Sequence, residues 1–167
     1  MEIRMLSSLE DAEMYRRIRL ESLKRVPEAF ASSYEEEIDC SIDKYFNQFQ
    51  SNDSFTYGAF VKGELVGIIT LYKEQLYKLR HRAHIGAMYV SDSIRGLGVG
   101  KALMEVAIEK AKQIEGLEQL YLAVVSTNES AKKLYSSLDF ELFGSERKGL
   151  KLKNNMYYDV DFMIKYL

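Results

Sequence analysis

Apolar residues recur along this chain at two spacings, and the points where the spacing changes mark out its elements. "MEIRMLSS" alternates polar and apolar positions and predicts an opening strand. Ser8 is placed to cap a helix in which Leu9, Ala12, Met14, Tyr15, Ile18, Leu20 and Leu23 recur at a mostly helical period. "VPEAFASSYEEEIDCSIDKYFNQFQ" follows as a second, less regular helical region containing the only proline, Pro27. "SFTYGAFV" and "ELVGIITLYKEQ" flank Lys62-Gly63 and predict a β-hairpin. "HRAHIGAMYV" predicts another strand, and Val99, Ala102, Leu103, Val106, Ala107, Ala111 and Ile114 define the buried face of the next helix. A strand "EQLYLAVV", a helix "NESAKKLYSSL" and two strands, "DFELFGSE" and "MYYDVDFMIKYL", complete the pattern. The expected order is β-α-α-β-β-β-α-β-α-β-β, an α/β (α+β) arrangement with a mixed central sheet of about seven strands flanked by about four helices.

Composition adds boundaries to this picture. The 167 residues fit one domain spanning 1–167, large enough for a real core, with no repeat or linker. A single cysteine, Cys40, rules out a disulfide within the chain and favours a reducing, cytoplasmic home. The N-terminus reads as a strand rather than a signal peptide, and "ELVGIITLY" is too short to span a bilayer, so no membrane association is expected. Net charge is −2, unevenly spread: residues 1–55 hold 7 Lys/Arg against 12 Asp/Glu, residues 73–153 hold 14 against 10. That split suggests a cationic substrate on one side and an anionic cofactor on the other, and the lack of a dense basic stripe argues against nucleic acid as a partner.

The stretch with the most specific chemistry is "YVSDSIRGLGVGKALMEVA", three alternating glycines between a strand and an amphipathic helix. It is not a Walker A loop, because Arg95 stands where the first glycine belongs and Ala102 where the magnesium-binding hydroxyl belongs. It is not a dinucleotide fingerprint, because Lys101 occupies the third glycine position. What remains is R-G-x-G-x-G-K, whose successive N–H groups from Gly96 to Lys101 can converge on a pyrophosphate at a helix N-terminus.

In these residues the chain resembles the GNAT superfamily of N-acetyltransferases, over nearly its whole length. The family's V-x-x-x-x-R-G-x-G-x-G is here Val90 through Gly100, and its N-x-x-A-x-x-x-Y is Asn128, Ala131 and Tyr135, ahead of Asp139-Phe140. The resemblance implies the GNAT fold, acetyl-CoA as co-substrate, no metal, and a strand ending at Val90 that splays from its neighbour to admit the pantetheine arm. It implies cofactor contacts from Met88, Tyr89 and Val90, from Arg95, Gly96, Leu97, Gly98, Val99, Gly100 and Lys101, and from Asn128, Ala131 and Tyr135. It also implies Tyr135 as the general acid that protonates the departing thiolate. The plainer readings are a core tyrosine, since Ala131, Leu134, Tyr135 and Leu138 share one helix face, and a simple helix cap for Asn128.

Two positions depart from the family pattern. Asp139 replaces the usual glycine before Phe140, and Ala87 stands where many relatives carry a glutamate base. His84, placed by strand alternation on the same face as Met88, is a candidate base in its stead, with Asp159 and Asp161 as lesser ones. The acid-rich segment Glu28, Glu35, Glu36, Glu37, Asp39 and Asp43 falls where relatives line the acceptor pocket, which makes Glu35 and Glu36 candidate substrate contacts. A lysine-like amine costs about 4.6 kcal/mol to present as free base at pH 7, and such an entrance would favour it. The expected reaction is acetyl transfer to a primary amine of a small polyamine-like or aminoglycoside-like acceptor, by a monomer or homodimer. A protein N-terminal or lysine acetyltransferase and a non-catalytic acyl-CoA sensor are the alternatives.

Overall fold

A computed structural model describes residues 1–167. The chain opens with β1 (Glu2–Met5) and α1 (Leu9–Arg25). Ser8 starts α1 with a reciprocal cap: its hydroxyl accepts from the Asp11 N–H at 3.0 Å, and the Asp11 carboxylate accepts from the Ser8 N–H. Arg4 clamps the same carboxylate at 2.7 Å. Burial works to raise the Asp11 pKa, yet Arg4 and the backbone donors hold it well below the usual carboxylate range.

The second helical region is three pieces, not one. A 3₁₀ turn at Pro27–Ala29 is followed by α2 (Tyr34–Glu37) and α3 (Ile42–Phe49). Ser33 forms a new capping box with Glu36, and Ser41 precedes α3 in extended conformation, so each serine begins a helix anew. The protein thus has five α-helices where the pattern predicted about four.

β2 (Ser54–Val61) and β3 (Glu64–Lys73) form the expected hairpin. Lys62 and Gly63 both take positive φ, 51° and 83°, as a two-residue turn matched to strand twist requires. Next come β4 (Arg82–Val90), α4 (Val99–Lys112), β5 (Gln119–Val125), α5 (Glu129–Ser136), β6 (Glu141–Lys151) and β7 (Tyr157–Tyr166). The sheet order is β1-β2-β3-β4-β5-β7-β6, and β4–β5 is its only parallel pair. Asp139 takes φ 64° just past α5, the left-handed conformation that suits the glycine of the family pattern and that aspartate tolerates.

Helices cover the sheet on both faces. α4 and α5 close one core, with Leu103, Met104 and Ala107 against Leu71, Ile85 and Leu122. α1 and α3 close the other, with Tyr15, Ile18 and Tyr45 against Phe60, Ile68 and Tyr89. On α4 the buried stripe is rotated from the predicted one: Met104 and Ile108 are buried, while Ala102 and Val106 are half-exposed.

Two features of β4 shape everything near its end. Ile68 pairs with Tyr89 and Thr70 with Gly86, so Ile69 faces two residues, Ala87 and Met88. This is a β-bulge, with Ala87 at φ 50°. Before it, Ala83 and Ile85 belong to the α4 core; after it, Tyr89 belongs to the α1 core. Alternation therefore breaks at Ala87, and His84 does not share a face with Met88. The second feature is a splay. β4 pairs with β5 only from Arg82 to His84, whereas β5 stays paired with β7 to Val125.

Candidate active site

A cavity of about 590 Å³ lies at the splay, joined by a smaller one of about 90 Å³ between β4 and β5. The larger is bounded by the end of β4, the glycine loop and first turn of α4, and one side of α5 from Ser130 to Tyr135. Ala29, Met88, Val125, Asn128 and Tyr135 line both, so the two adjoin as a channel at the gap between β4 and β5.

The loop is built for close approach. Gly96 and Gly98 have φ of 79° and 80°, and a Cβ added at either would meet no protein atom within 4 Å. The space above them is open and the backbone conformation is one that L-residues avoid. Gly98 is also the N-cap of α4, so the first N–H groups of that helix point at the cavity without an intrahelical partner. Gly100 serves differently. It is helical, and a Cβ there would sit 3.2 Å from Met88 Cε and 3.5 Å from Leu134 Cδ2, so the glycine brings α4 close to β4 and α5. Arg95 and Lys101 supply positive charge beside the loop; Arg95 is held by Asp92 at 2.9 Å and donates to the Val90 carbonyl at 3.1 Å. An open, left-handed, amide-rich and cationic cradle fits a diphosphate.

Other elements fix the walls. Tyr89 donates its phenol to Glu21 of α1 at 2.8 Å, and Ser91 donates to the same carboxylate, tying the end of β4 to that helix. Asn128 caps α5 through the Ala131 N–H at 3.1 Å and also lines the channel. Asp161, buried on β7, accepts from Ser126 and Ser145 and pairs with Lys132 of α5 at 3.1 Å. The Ser126 hydroxyl first, then Ser145 and Lys132, lower its pKa. It anchors α5 and lines neither cavity.

Tyr135 is buried in the α4–α5 core and still forms a wall of both cavities. Burial pushes its phenol up to about 12, so it holds its proton at neutral pH. Tyr135 is thus a core residue that also borders the cavity.

Of the residues singled out in the sequence, Met88, Tyr89, Val90, Asn128, Ala131 and Tyr135 come together around the cavity with Arg95 through Lys101, except Leu97, which points to solvent. His84 lies outside the channel, bonded to Glu74 and tilted against Tyr121 at 5.7 Å. Glu35 pairs with Lys153 at 2.9 Å and Glu36 accepts from Ser33; neither lines the channel. Glu37 is buried against Arg19 at 2.8 Å, with Ser32 and Tyr45 also donating to it. Burial works to raise its pKa, but the Arg19 and Ser32 hydrogen bonds bring it down to about 2. Sequence reasoning missed Val26, Thr127 and Ser130 as wall residues, and did not separate Glu28 from its acidic neighbours. Their only signal was nearness in sequence to the 3₁₀ turn or to Asn128.

A mixed seven-stranded sheet, splayed beside a phosphate-type loop, is the arrangement of an acyl-CoA-dependent acyltransferase. Residues 20–140 match the acetyltransferase (GNAT) family, and this chain belongs to it. It is similar to an N-alpha-acetyltransferase of Sulfurisphaera tokodaii, 33% identical over 90 residues covering 50% of this chain and 54% of that protein. It is similar to the L-amino acid N-acetyltransferase of Escherichia coli, 30% identical over 107 residues covering 64% and 65%. The chain therefore spans between half and two thirds of these curated relatives. Its fold matches a GNAT-family acetyltransferase of Streptococcus pneumoniae with TM-score 0.84 at 24% identity, covering 99% and 100% of the two chains. It also matches a Salmonella typhimurium structure described with its cofactor acetyl-CoA, TM-score 0.86 at 18% identity, covering 100% and 94%.

Proposed function

We propose that this protein transfers the acetyl group of acetyl-CoA to a primary amine. The observation that carries the reading is the single cavity, at the gap between β4 and β5, that is lined both by the open Gly96–Gly98 cradle and by the protonated Tyr135. Family membership supports the same donor. When bound, acetyl-CoA supplies an activated thioester and departs as a thiol.

The chain's own residues do the rest. Loop and α4 amides, with Arg95 and Lys101, bind the diphosphate. The unpaired edge of β4 beyond His84 offers backbone N–H and C=O groups to an extended arm lying between the strands. Tyr135 Oη holds a proton for the departing sulfur. The apolar walls of the narrow passage, among them Ile85, Leu122 and Val124, exclude water from the reacting region.

For the acceptor, an α-amine is favoured over a polycation. Glu35 and Glu36, on which the polyamine-like or aminoglycoside-like reading leaned, are engaged with Lys153 and Ser33 and reach the channel only through their long-range field. An N-alpha-acetyltransferase and an L-amino acid N-acetyltransferase are both among the relatives, and both names specify α-amine or amino-acid acceptors. The test is calorimetry with acetyl-CoA, followed by thiol release across a panel of L-amino acid amides, short peptides and polyamines. Binding with amine-dependent thiol release is expected; binding without release on any amine would make the protein a sensor.

A further inference from the structure

The glycine loop, from Ser91 to Gly98, is exposed for most of its length and is tied to the rest of the protein at few points. Within it the Ile94 N–H donates to the Ser91 carbonyl and the Arg95 N–H to the Asp92 carbonyl. The Arg95 side chain bonds only Val90 and Asp92, both close by in the chain. Beyond β4 and α4, which flank the loop, two hydrogen bonds reach another element, and both start at Ser91. Its N–H donates to the Val66 carbonyl of β3 at 2.9 Å, and its hydroxyl donates to Glu21 of α1 at 3.1 Å.

Glu21 holds a second group beside the loop. The Tyr89 phenol donates at 2.8 Å to the same oxygen, Oε1, that takes the Ser91 hydroxyl. Burial, then the Glu21 carboxylate, push the Tyr89 pKa up, so this phenol stays a donor. The Arg95 guanidinium lies 5.8 Å from the centre of the Tyr89 ring. The first residue of the loop and the ring beside its cation are therefore both fixed by one carboxylate oxygen on α1. Further along the same helix Val26, its C-cap, lines the larger cavity together with Arg95 and Gly96. Glu21 and Ser91 do not line it themselves.

We propose that Glu21 is a positioning residue for the cofactor loop: by holding Ser91 and Tyr89 it keeps the Gly96–Lys101 amides and Arg95 in their diphosphate-binding arrangement before the ligand arrives. This rests on the acetyl-transfer reading above. A loop with glycines at Gly96 and Gly98 has many conformations open to it, and ordering them on binding weakens affinity. A fixed point of departure removes part of that cost in advance. Glu21 touches neither the ligand nor the reacting atoms, so its effect belongs in acetyl-CoA affinity. Both hydroxyls meet a single oxygen, so the amide oxygen of a glutamine can stand in for the carboxylate.

The test uses the full chain with Glu21→Ala, Glu21→Gln, Ser91→Ala and the Glu21→Ala/Ser91→Ala pair, read by calorimetry with acetyl-CoA and by urea unfolding. The Kd should rise at least fivefold in Glu21→Ala and at least threefold in Ser91→Ala, while Glu21→Gln stays within twofold of the parent. The double variant should bind within twofold of Glu21→Ala, because both substitutions break the same hydrogen bond. A folded Glu21→Ala variant with its Kd within twofold of the parent overturns the proposal, even with a lowered urea midpoint, since the carboxylate then only braces the fold. A Glu21→Gln variant as weak as Glu21→Ala overturns it too. Should Glu21→Ala fail to fold, an unchanged Kd in Ser91→Ala does the same. Failure of the parent to bind acetyl-CoA would sink the underlying reading instead, so the two failures are told apart.

Discussion

Two stretches of this chain are conspicuous by composition, the Glu35-Glu36-Glu37 run of α2 and the alternating glycines before α4, and the fold treats them in opposite ways. Each glutamate of the run has a structural partner: Lys153 across to the β6–β7 hairpin, Ser33 in a helix cap, Arg19 in the interior. The first two loop glycines have nothing within 4 Å of where a side chain would begin. The acids are saturated by the protein and the loop is left open. Unmet capacity, more than unusual composition, is what separates a site from scaffolding.

The largest effect that would sharpen this contrast is at Gly98. A Cβ at Gly98 meets no protein atom within 4 Å, so the structural cost of Gly98→Val starts from its left-handed φ, roughly 1–2 kcal/mol. Acetyl-CoA affinity should nevertheless fall at least a hundredfold in calorimetry, with a native far-UV spectrum, because the side chain occupies the cradle. Undiminished binding by the folded variant would remove the loop assignment.

Glu37→Ala probes the opposite region and should act on stability. It strips Arg19 of its buried partner at an expected cost of about 3 kcal/mol, read from urea unfolding. The pH dependence carries a sign. The folded Glu37 pKa is depressed to about 2 from an ordinary 4.5, so its contribution is complete above about pH 4.5 and fades as pH falls towards 2. That part of the acid slope should vanish in the variant. An unchanged midpoint would mean that the acidic stretch is not scaffolding after all.

Tyr135→Phe lies between the two regions in character, since the residue is both core and channel wall. Its kcat should drop roughly tenfold or more with acetyl-CoA affinity unchanged, because the hydroxyl is needed in the chemical step and not in the bound ground state. An unchanged kcat, where chemistry limits the rate, would return it to the core alone. The smallest effect is expected from Glu35→Gln combined with Glu36→Gln. Acceptor kcat/KM should change less than twofold at 0.15 M salt, and a larger loss would restore these acids to the acceptor path.

Much of the fold was legible because its signals are local. The Lys62-Gly63 turn, the Ser8 and Asn128 caps and the seven strands each depend on a few adjacent residues, and all are present. The glycine loop was legible for the same reason. What stayed hidden depends on distance. Arg19 and Glu37 are 18 residues apart, and nothing local distinguishes Glu37 from Glu35 or Glu36. The bulge was invisible because "AHIGAMYV" reads as unbroken strand, and alanine gives no hint of a positive φ. Hence His84 was paired with the wrong face, and Glu28 merged with its acidic neighbours.

The left-handed Ala87 also fixes what kind of change β4 will accept. A substitution at Ala87 or Met88 alters one patch of wall, leaving the rest of the strand facing as before. Loss of a single residue there would remove the bulge and keep Tyr89 opposite Ile68, whereas gain of one reverses the side on which every later residue of the strand lies. Tyr89 would turn out of the α1 core and out of reach of Glu21, and Val90 would turn away from α4. β4 has, in effect, a reading frame, set once at the bulge and read out to the loop. Drift in this strand is therefore free in letters and closed to lengthening by one residue.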